Sequence, residues 1–315
     1  MGVSSRHYKY LFGPVPSRRL GLSLGVDILP SKTCSLDCIY CESGQTTNLT
    51  IERKPYVNPE LVIEELETYL STAPKLDFIT FSGCGEPTLN SGIKDIIAFL
   101  KVRFPLYKVA LLTNSTLFYR EDVRKDLLDI DLVVASIDAV STKVFNEINR
   151  PEETLETAKI IKGLELFRKD FESELWIEIF VVPEINDNKE EISLIRQAVQ
   201  GIRPDNIQLN SLDRPGTESW VPPADNDCLQ RFRHLLDFGE LIRKDTTLNL
   251  TAGTRGNLQE AVLNMIKRRP CTIDDIATSL GISVKKVDGI LAVLGSNDLI
   301  LKDEMERGSF YKLKK

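Results

Sequence analysis

Three cysteines lie close together near the start of the chain, as Cys34, Cys38 and Cys41. Because three thiols cannot all pair in disulfides, and because this spacing wraps a short loop around one centre, the pattern predicts metal ligands. Four-iron four-sulfur clusters are held by cysteine thiolates, normally four of them. Three ligands would leave one iron open to a small molecule, as catalytic metal sites keep one position open.

The alternative is a zinc site completed by a ligand from elsewhere in the chain. The sequence has only two histidines, His7 and His234, and no second closely spaced pair of cysteines. The other cysteines, Cys84, Cys228 and Cys271, are isolated, and we interpret them as structural residues. Because the chain offers few residues that could complete a zinc site, the sequence favours an iron–sulfur cluster over zinc.

The elements that must position these residues alternate between short apolar runs and amphipathic helical patterns. This alternation predicts an α/β fold with a parallel sheet, either an open doubly wound sheet or a partial barrel. In both, the loops that follow the strands carry the site. The predicted strands are Leu22–Ile28, Asp77–Ser82, Lys108–Thr113, Leu132–Ile137, Glu174–Val182 and Asn206–Asn210.

Small and polar residues follow three of these strands, where a site would form. A glycine permits close approach of a ligand to the backbone, and the polar side chains offer hydrogen bonds. The alternative is that they only shape turns and cap helices. These residues are Gly83, Gly85 and Glu86 after the second strand, Asn114 after the third, and Ser136 and Asp138 at the end of the fourth.

The cysteine loop with Tyr40 before its last cysteine, followed by the Ser82–Thr88 segment, resembles the radical S-adenosylmethionine (radical SAM) superfamily. The resemblance covers roughly residues 10–215. It implies a partial (βα)6 barrel of the TIM-like type. It also implies a 4Fe-4S cluster held by Cys34, Cys38 and Cys41, with SAM on the remaining iron and a reducing electron donor such as flavodoxin or ferredoxin.

The resemblance also implies roles for the other residues, while no catalytic residue is assigned. Gly83, Gly85 and Glu86 would lie along the methionine moiety of SAM, and Tyr40 would face its adenine. Polar contacts to SAM would come from Asn114, Ser136 and Asp138. Reductive cleavage of SAM would give a 5′-deoxyadenosyl radical, which abstracts hydrogen from a substrate.

Three further segments, Leu11–Gly21, Val26–Pro30 and Gln208–Gly216, resemble a subgroup placed loosely with wyosine-type tRNA-modifying synthases. Those synthases carry cysteines for a second cluster ahead of the SAM motif, whereas no cysteine precedes Cys34 here. The resemblance therefore leaves the substrate open. Arginines suit phosphates and carboxylates, and the candidate substrate contacts are Arg18, Arg19, Gln208, Asp213 and Arg214, with packing or salt bridges as the alternative.

The last part of the chain has its own pattern of three helices and a hairpin, which predicts a winged helix-turn-helix domain. We expect a radical SAM barrel over 1–220, a helical extension and linker over 221–257, and the winged helix over 258–315. The winged helix carries ten basic and eight acidic residues, a weak basic excess for a nucleic-acid binder. It is predicted to bind a tRNA or a peptide or protein substrate, or only its own barrel.

The composition excludes a disordered, a collagen-like and a coiled-coil protein as descriptions of the whole chain. The 315 residues are 42% hydrophobic and 27% charged, with a net charge of −6, which is ordinary for a globular protein. No apolar run is long enough for a membrane span or a signal peptide, so we expect a cytoplasmic protein without membrane contacts. The alternative function is an iron–sulfur redox sensor that binds DNA without catalysis.

Overall fold

The computed structural model describes residues 8–17, 19–242, 258–305 and 307–314. Twelve strands lie in these ranges: β1 (Leu11–Ser17), β2 (Gly21–Val26), β3 (Thr33–Cys34), β4 (Asn48–Leu49), β5 (Phe78–Phe81), β6 (Lys108–Thr113), β7 (Leu132–Ser136), β8 (Glu174–Phe180), β9 (Asn206–Asn210), β10 (Glu240–Leu241), β11 (Ile300–Met305) and β12 (Gly308–Leu313).

The helices of the described ranges follow the predicted alternation. Side-chain caps fix several starts; Asn58, for example, accepts from the backbone N–H of Glu60 ahead of Pro59. The helices are α1 (Pro59–Leu70), α2 (Ile93–Arg103), α3 (Glu121–Asp126), α4 (Thr142–Asn149), α5 (Thr157–Asp170), α6 (Lys189–Ile202), α7 (Asn226–Leu236), α8 (Leu258–Arg268), α9 (Ile273–Leu280) and α10 (Val284–Ser296).

Eight strands form the central sheet, in the order β1-β2-β5-β6-β7-β8-β9-β10. All neighbours from β2 to β10 are parallel, and only β1 runs antiparallel, against β2. The predicted parallel α/β sheet is confirmed. Strand β1 was not predicted, because its Gly13, Pro14 and Pro16 are unusual in strands; prolines are tolerated at a sheet edge.

The two faces of the sheet differ in chemistry. One face packs its alternate residues, such as Ile79 and Ile177, against the helices in the main core. The opposite face, called the inner face here, carries a small apolar cluster that includes Leu20 and Val134. It also carries polar side chains such as Glu178. The inner face is where a ligand could meet polar groups.

The segment after the sheet differs in part from the prediction. Within the predicted extension over 221–257, the sequence predicts a helix over Asp225–Lys244 and a linker over Thr246–Arg255. The helix ends at Leu236, where Asp237 takes the left-handed conformation, and it buries Phe232 and Leu236 in the main core, so this part belongs to the outer layer of the sheet. The predicted linker lies outside the described residues.

Residues from 258 onward form three helices and the β11–β12 hairpin, as predicted, and we call them the C-terminal unit. The unit has its own core around Val262, Ile276 and Leu291. Helix α9 also packs against β1, so the unit rests on the sheet. Within the described residues, no helix is long and apolar enough to cross a membrane.

Candidate active site

The three cysteines lie on the loop that follows β2. Cys34 belongs to β3, and the backbone N–H of Cys41 donates to the carbonyl of Cys38 at 3.1 Å in a turn. The end of α4 supports the loop, because the N–H of Ile39 donates to the carbonyl of Ile148 at 2.9 Å. Backbone contacts therefore fix the loop at both its start and its centre.

Each cysteine sulfur accepts a hydrogen bond from a different side chain. Lys32 Nζ lies 3.1 Å from Cys41 Sγ, Asn114 Nδ2 lies 3.5 Å from Cys34 Sγ, and Asn149 Nδ2 lies 3.4 Å from Cys38 Sγ. N–H donors of this kind stabilise negative charge on sulfur and tune the metal that the sulfur ligates.

Burial favours the protonated form of two of these thiols, those of Cys34 and Cys38. It raises the pKa of Cys34 to about 12 and the pKa of Cys38 well above its usual value. Burial by itself would lower the pKa of Lys32, but the Cys41 sulfur raises it, so this side chain stays charged. Across the described ranges, no three His, Cys, Asp or Glu side chains gather around a single metal ion. Three cysteine sulfurs on one loop, each with its own N–H donor, have the chemistry of iron–sulfur ligands.

The glycine segment after β5 packs directly on the cysteine loop. A Cβ on Gly85 would lie 1.9 Å from the backbone oxygen of Thr33, so only glycine allows this approach. Gly83 has φ +152°, and a Cβ there would lie 2.3 Å from the Asp27 carboxyl. The glycines predicted to contact SAM thus also join two loops, and the structure gives each a packing role beside the predicted one.

Glu86 is buried, and its carboxylate accepts four hydrogen bonds within the protein. The Oε1 atom accepts from the backbone N–H and hydroxyl of Thr88 at 3.1 and 2.6 Å and from the Thr113 hydroxyl at 2.7 Å. The Oε2 atom accepts from the backbone N–H of Asn114 at 2.7 Å. Burial raises the pKa of Glu86, and these donors oppose the shift. The side chain ties the segment after β5 to the end of β6.

Asp138 is the centre of a second buried network. Its carboxylate accepts from the Tyr40 hydroxyl, from Asn149 Nδ2 at 2.7 Å and from the backbone N–H of Phe180 at 2.9 Å. Burial raises the pKa of Asp138 to about 6. The Tyr40 ring stacks on Phe180 with centroids 3.8 Å apart. Asn149 therefore connects Asp138 to Cys38, a link that the sequence analysis did not predict.

The predicted SAM contacts fall into two groups in space. Tyr40, Asn114, Ser136 and Asp138 line one small cavity of about 30 Å³, together with Asn149. The Asn149 Oδ1 atom is buried there and has no hydrogen-bond partner among the described residues. Gly83 instead lines a large cavity of about 470 Å³ between the inner face and the C-terminal unit.

The predicted substrate residues have varied surroundings. Arg19 lines the large cavity and forms an ion pair with Glu178 on the inner face. Gln208, beside Glu178 on β9, is buried, and its Oε1 atom has no hydrogen-bond partner in the described part of the chain. Arg18 lies outside the described residues.

Asp213 and Arg214 form ion pairs with the C-terminal unit. Arg214 donates to Asp275 at 2.5 Å and to the carbonyl of Pro270 at 2.9 Å. Asp213 accepts from Arg307 at 2.6 Å, and Arg307 also reaches Asp275 at 2.5 Å. Asp213 and Arg214 are 7% and 6% exposed. Their charges are paired across the contact between the sheet and the C-terminal unit, and Arg214 also lines the large cavity. Their predicted contact with a substrate stays a prediction.

Sequence reasoning missed Lys32 and Asn149, the donors to two of the cysteines. Lys32 precedes the cysteine motif by two residues and has φ +55°, whereas Asn149 ends a helix far along the chain. A lysine two residues before a cysteine motif is a usable local signal, since a lysine that becomes buried there needs a partner. Asn149 offers no such signal.

Comparison with known proteins adds to this geometry. A model of the radical SAM superfamily matches residues 28–194. A UPF0026 protein of Methanocaldococcus jannaschii is 34% identical over 309 residues, which are 95% of this chain and 94% of that protein. A protein named GTPase Obg from Brachyspira hyodysenteriae is 34% identical over 290 residues, but this chain spans only 42% of its length.

A solved structure shares the fold. The crystal structure of a radical SAM methyltransferase from Sphaerobacter thermophilus has a TM-score of 0.54 and 14% sequence identity. The match covers 70% of this chain and 66% of that chain. At this identity the similarity concerns the architecture alone.

Proposed function

Because the chain belongs to the radical SAM superfamily, whose members use a 4Fe-4S cluster and SAM, we propose that it is an enzyme that cleaves SAM reductively and abstracts hydrogen from a substrate. The observation that supports this proposal most directly concerns three cysteines on one loop, Cys34, Cys38 and Cys41. The sulfur of each accepts a hydrogen bond from a different N–H donor. When bound, the cluster supplies the electron that cleaves SAM.

The chain's own residues prepare the site for this chemistry. Lys32, Asn114 and Asn149 stabilise negative charge on the three sulfurs. Glu86 fixes the glycine segment, so SAM would meet the backbone of Gly83 and Gly85 rather than a free carboxylate. The sequence predicted a direct contact between Glu86 and SAM. We propose an indirect role instead, because four donors within the protein already bond to the Glu86 carboxylate.

The network around Asp138 is proposed to position the adenosine part of SAM. Tyr40 is held by its hydrogen bond to Asp138 and by stacking on Phe180, so its backbone has one orientation. The unpaired Asn149 Oδ1 atom and Ser136 line the same small cavity and offer polar contacts. The predicted contact of SAM with Asn114 is compatible with this grouping, since Asn114 also lines that cavity.

We propose that the C-terminal unit is a winged helix-turn-helix that closes the site. Its order of helices and hairpin supports the assignment, and Arg307 in the hairpin turn is paired with Asp213 of the barrel. A tRNA or peptide substrate, a place beside the wyosine-type synthases, a flavodoxin or ferredoxin donor and a cytoplasmic location remain predictions of the sequence.

Formation of 5′-deoxyadenosine tests the proposal. The protein is reconstituted anaerobically with iron and sulfide, reduced and incubated with SAM, and the product is measured by liquid chromatography. We expect product from the wild type and from Cys228→Ser, and none from Cys38→Ser, because a hydroxyl is a poor iron ligand. A bound cluster without cleavage under several reductants would instead favour the redox sensor.

A further inference from the structure

The large cavity between the inner face and the C-terminal unit has no role in the SAM chemistry described so far. Its volume of about 470 Å³ lies in the range of small-molecule sites, about 300–1,000 Å³. Among the predicted SAM contacts, only Gly83 lines it. Glu42, next to Cys41, lines it as well. The cavity therefore begins beside the cysteine loop and extends away from the other predicted SAM contacts.

The walls of this cavity come from both parts of the molecule. Residues of β1, β2 and β5 form one side, and residues of α8 and α9 form the other. The ion pairs of Arg214 with Asp275 and of Arg307 with Asp213 hold the two sides together. Arg214 opposes the effect of burial on Asp275 and lowers the pKa of that carboxyl, so the pair stays charged at neutral pH. The C-terminal unit is thus a fixed wall of the cavity.

Arg268 of α8 lines this cavity, and its hydrogen bonding is incomplete. Its Nε atom is buried and has no hydrogen-bond partner among the described residues. One terminal nitrogen donates to the carbonyl of Asn264 at 3.2 Å. The Asp27 carboxylate approaches Nε only to 3.9 Å, beyond hydrogen-bond distance. A buried guanidinium N–H without an acceptor is costly, and an oxyanion is the partner it fits best.

The guanidinium of Arg268 lies over the aromatic ring of Phe12. The guanidinium carbon lies 4.8 Å from the centre of the Phe12 ring, within cation–π distance. The ring in turn lies against β2, where a Cβ on Gly25 would be 2.0 Å from it. Gly25 therefore leaves the space that the ring needs. Apolar residues continue this wall, among them Leu11, Val15, Met265 and Leu280.

Three other arginines, Arg19, Arg214 and Arg269, line the cavity. Arg19 is paired with Glu178 at short range, and Arg214 is paired with Asp275. Arg268, whose ion pair with Asp27 is 3.9 Å long, lies next to an apolar wall and can meet a ligand's charge. We infer that this cavity is the substrate site and that it takes a small organic anion, a carboxylate or phosphate ester, whose anionic group pairs with Arg268 and whose apolar body lies near Phe12.

The role of this cavity as a substrate site rests on the proposed function, whereas binding of an anion there does not. The size of the cavity and its closure by the C-terminal unit favour a small molecule over the macromolecular substrate that the sequence suggested. The binding test below is therefore independent of SAM cleavage. If cleavage fails but the anions bind through Arg268, the proposed chemistry is wrong and the anion site stands.

Isothermal titration calorimetry with three probes tests the inference. Phenyl phosphate and benzoate carry an anion on an apolar body, and benzyl alcohol has a similar body without charge. We expect both anions to bind at least tenfold more tightly than the alcohol. Arg268→Gln should weaken both anions at least tenfold and leave the alcohol unchanged, and Arg268→Lys should recover part of the loss. Arg103→Gln, at an exposed arginine on α2, is the matched control and should bind like the wild type.

Several results would overturn the inference. Equal binding of the anions to the wild type and to a folded Arg268→Gln variant would exclude Arg268 as the anion partner. Failure of all three probes to bind the wild type would exclude an open ligand site. Displacement of the anions by SAM in the cluster-loaded protein would show that the cavity belongs to the SAM site.

Discussion

Replacement of Glu86 by alanine is a sharp test of how the glycine segment is held. The change removes the acceptor of four hydrogen bonds, two from backbone N–H groups of Thr88 and Asn114 and two from threonine hydroxyls. The hydroxyls can rotate to other partners, but the two buried backbone donors cannot. Each orphaned donor costs about 1–3 kcal/mol, so the free energy of unfolding should fall by about 2–6 kcal/mol.

The conservative variant Glu86→Gln separates the carboxylate's charge from its shape. A glutamine can keep its oxygen toward Thr88 and Thr113, but its amide N–H₂ then faces the N–H of Asn114, a donor against a donor. We expect a loss of about 1–3 kcal/mol, from one unsatisfied donor.

Urea unfolding of the metal-free protein under anaerobic conditions measures both losses. Glu64→Ala, at an exposed position of α1, is the matched control and should change stability by no more than about 0.5 kcal/mol. A Glu86→Ala variant within about 1 kcal/mol of the wild type would refute the assignment of Glu86 as the anchor of this segment.

Three further changes probe the surroundings of the cysteines. Lys32→Met should lower the midpoint potential of the reconstituted cluster by about 65–130 mV, because a charged donor to Cys41 is worth about 1.5–3 kcal/mol and the cluster transfers one electron. Potentiometric titration followed by electron paramagnetic resonance measures the shift, and an unchanged potential would contradict the contact. Gly85→Ala should reduce iron content with the fold retained, because its Cβ would lie 1.9 Å from the Thr33 oxygen; full iron content would be the contrary result. For Asp138, a folded-state pKa raised from 3.8 to about 6 means that its contribution to stability is complete below pH 3.8 and is lost as the pH rises through 6. Between pH 4 and pH 7 the metal-free wild type should therefore lose about 2.4 kcal/mol of unfolding free energy relative to Asp138→Asn, and an equal difference at both pH values would be inconsistent with this.

The sequence was sufficient to predict the parallel sheet and the cysteine loop. Both signals are local: apolar runs of strand length between helical patterns, and cysteines spaced within one loop. The strand predicted at Asn206–Asn210 agrees with the structure at both ends. The pattern could not predict β1, because its prolines and glycine are poor strand formers and its partner within the sheet is β2 alone.

Contacts between distant parts of the chain account for what the sequence could not predict. Arg214 was interpreted as a substrate contact because it follows a strand at the open end of the sheet. Its partner Asp275 lies 61 residues away, in a unit whose docking no local pattern reveals. For the same reason Asn149, 111 residues from Cys38, could not be assigned as its donor. The large cavity arises from that docking too.

The iron and sulfide content of the protein tests most directly whether the three cysteines hold a 4Fe-4S cluster. Iron, acid-labile sulfide and zinc are measured per chain in the anaerobically reconstituted wild type and in the Cys34→Ser, Cys38→Ser and Cys41→Ser variants. The account predicts about four irons and four sulfides in the wild type, marked loss in each loop variant, and full content in Cys271→Ser. One zinc per chain without sulfide, or a cluster that survives the loop variants, would contradict it.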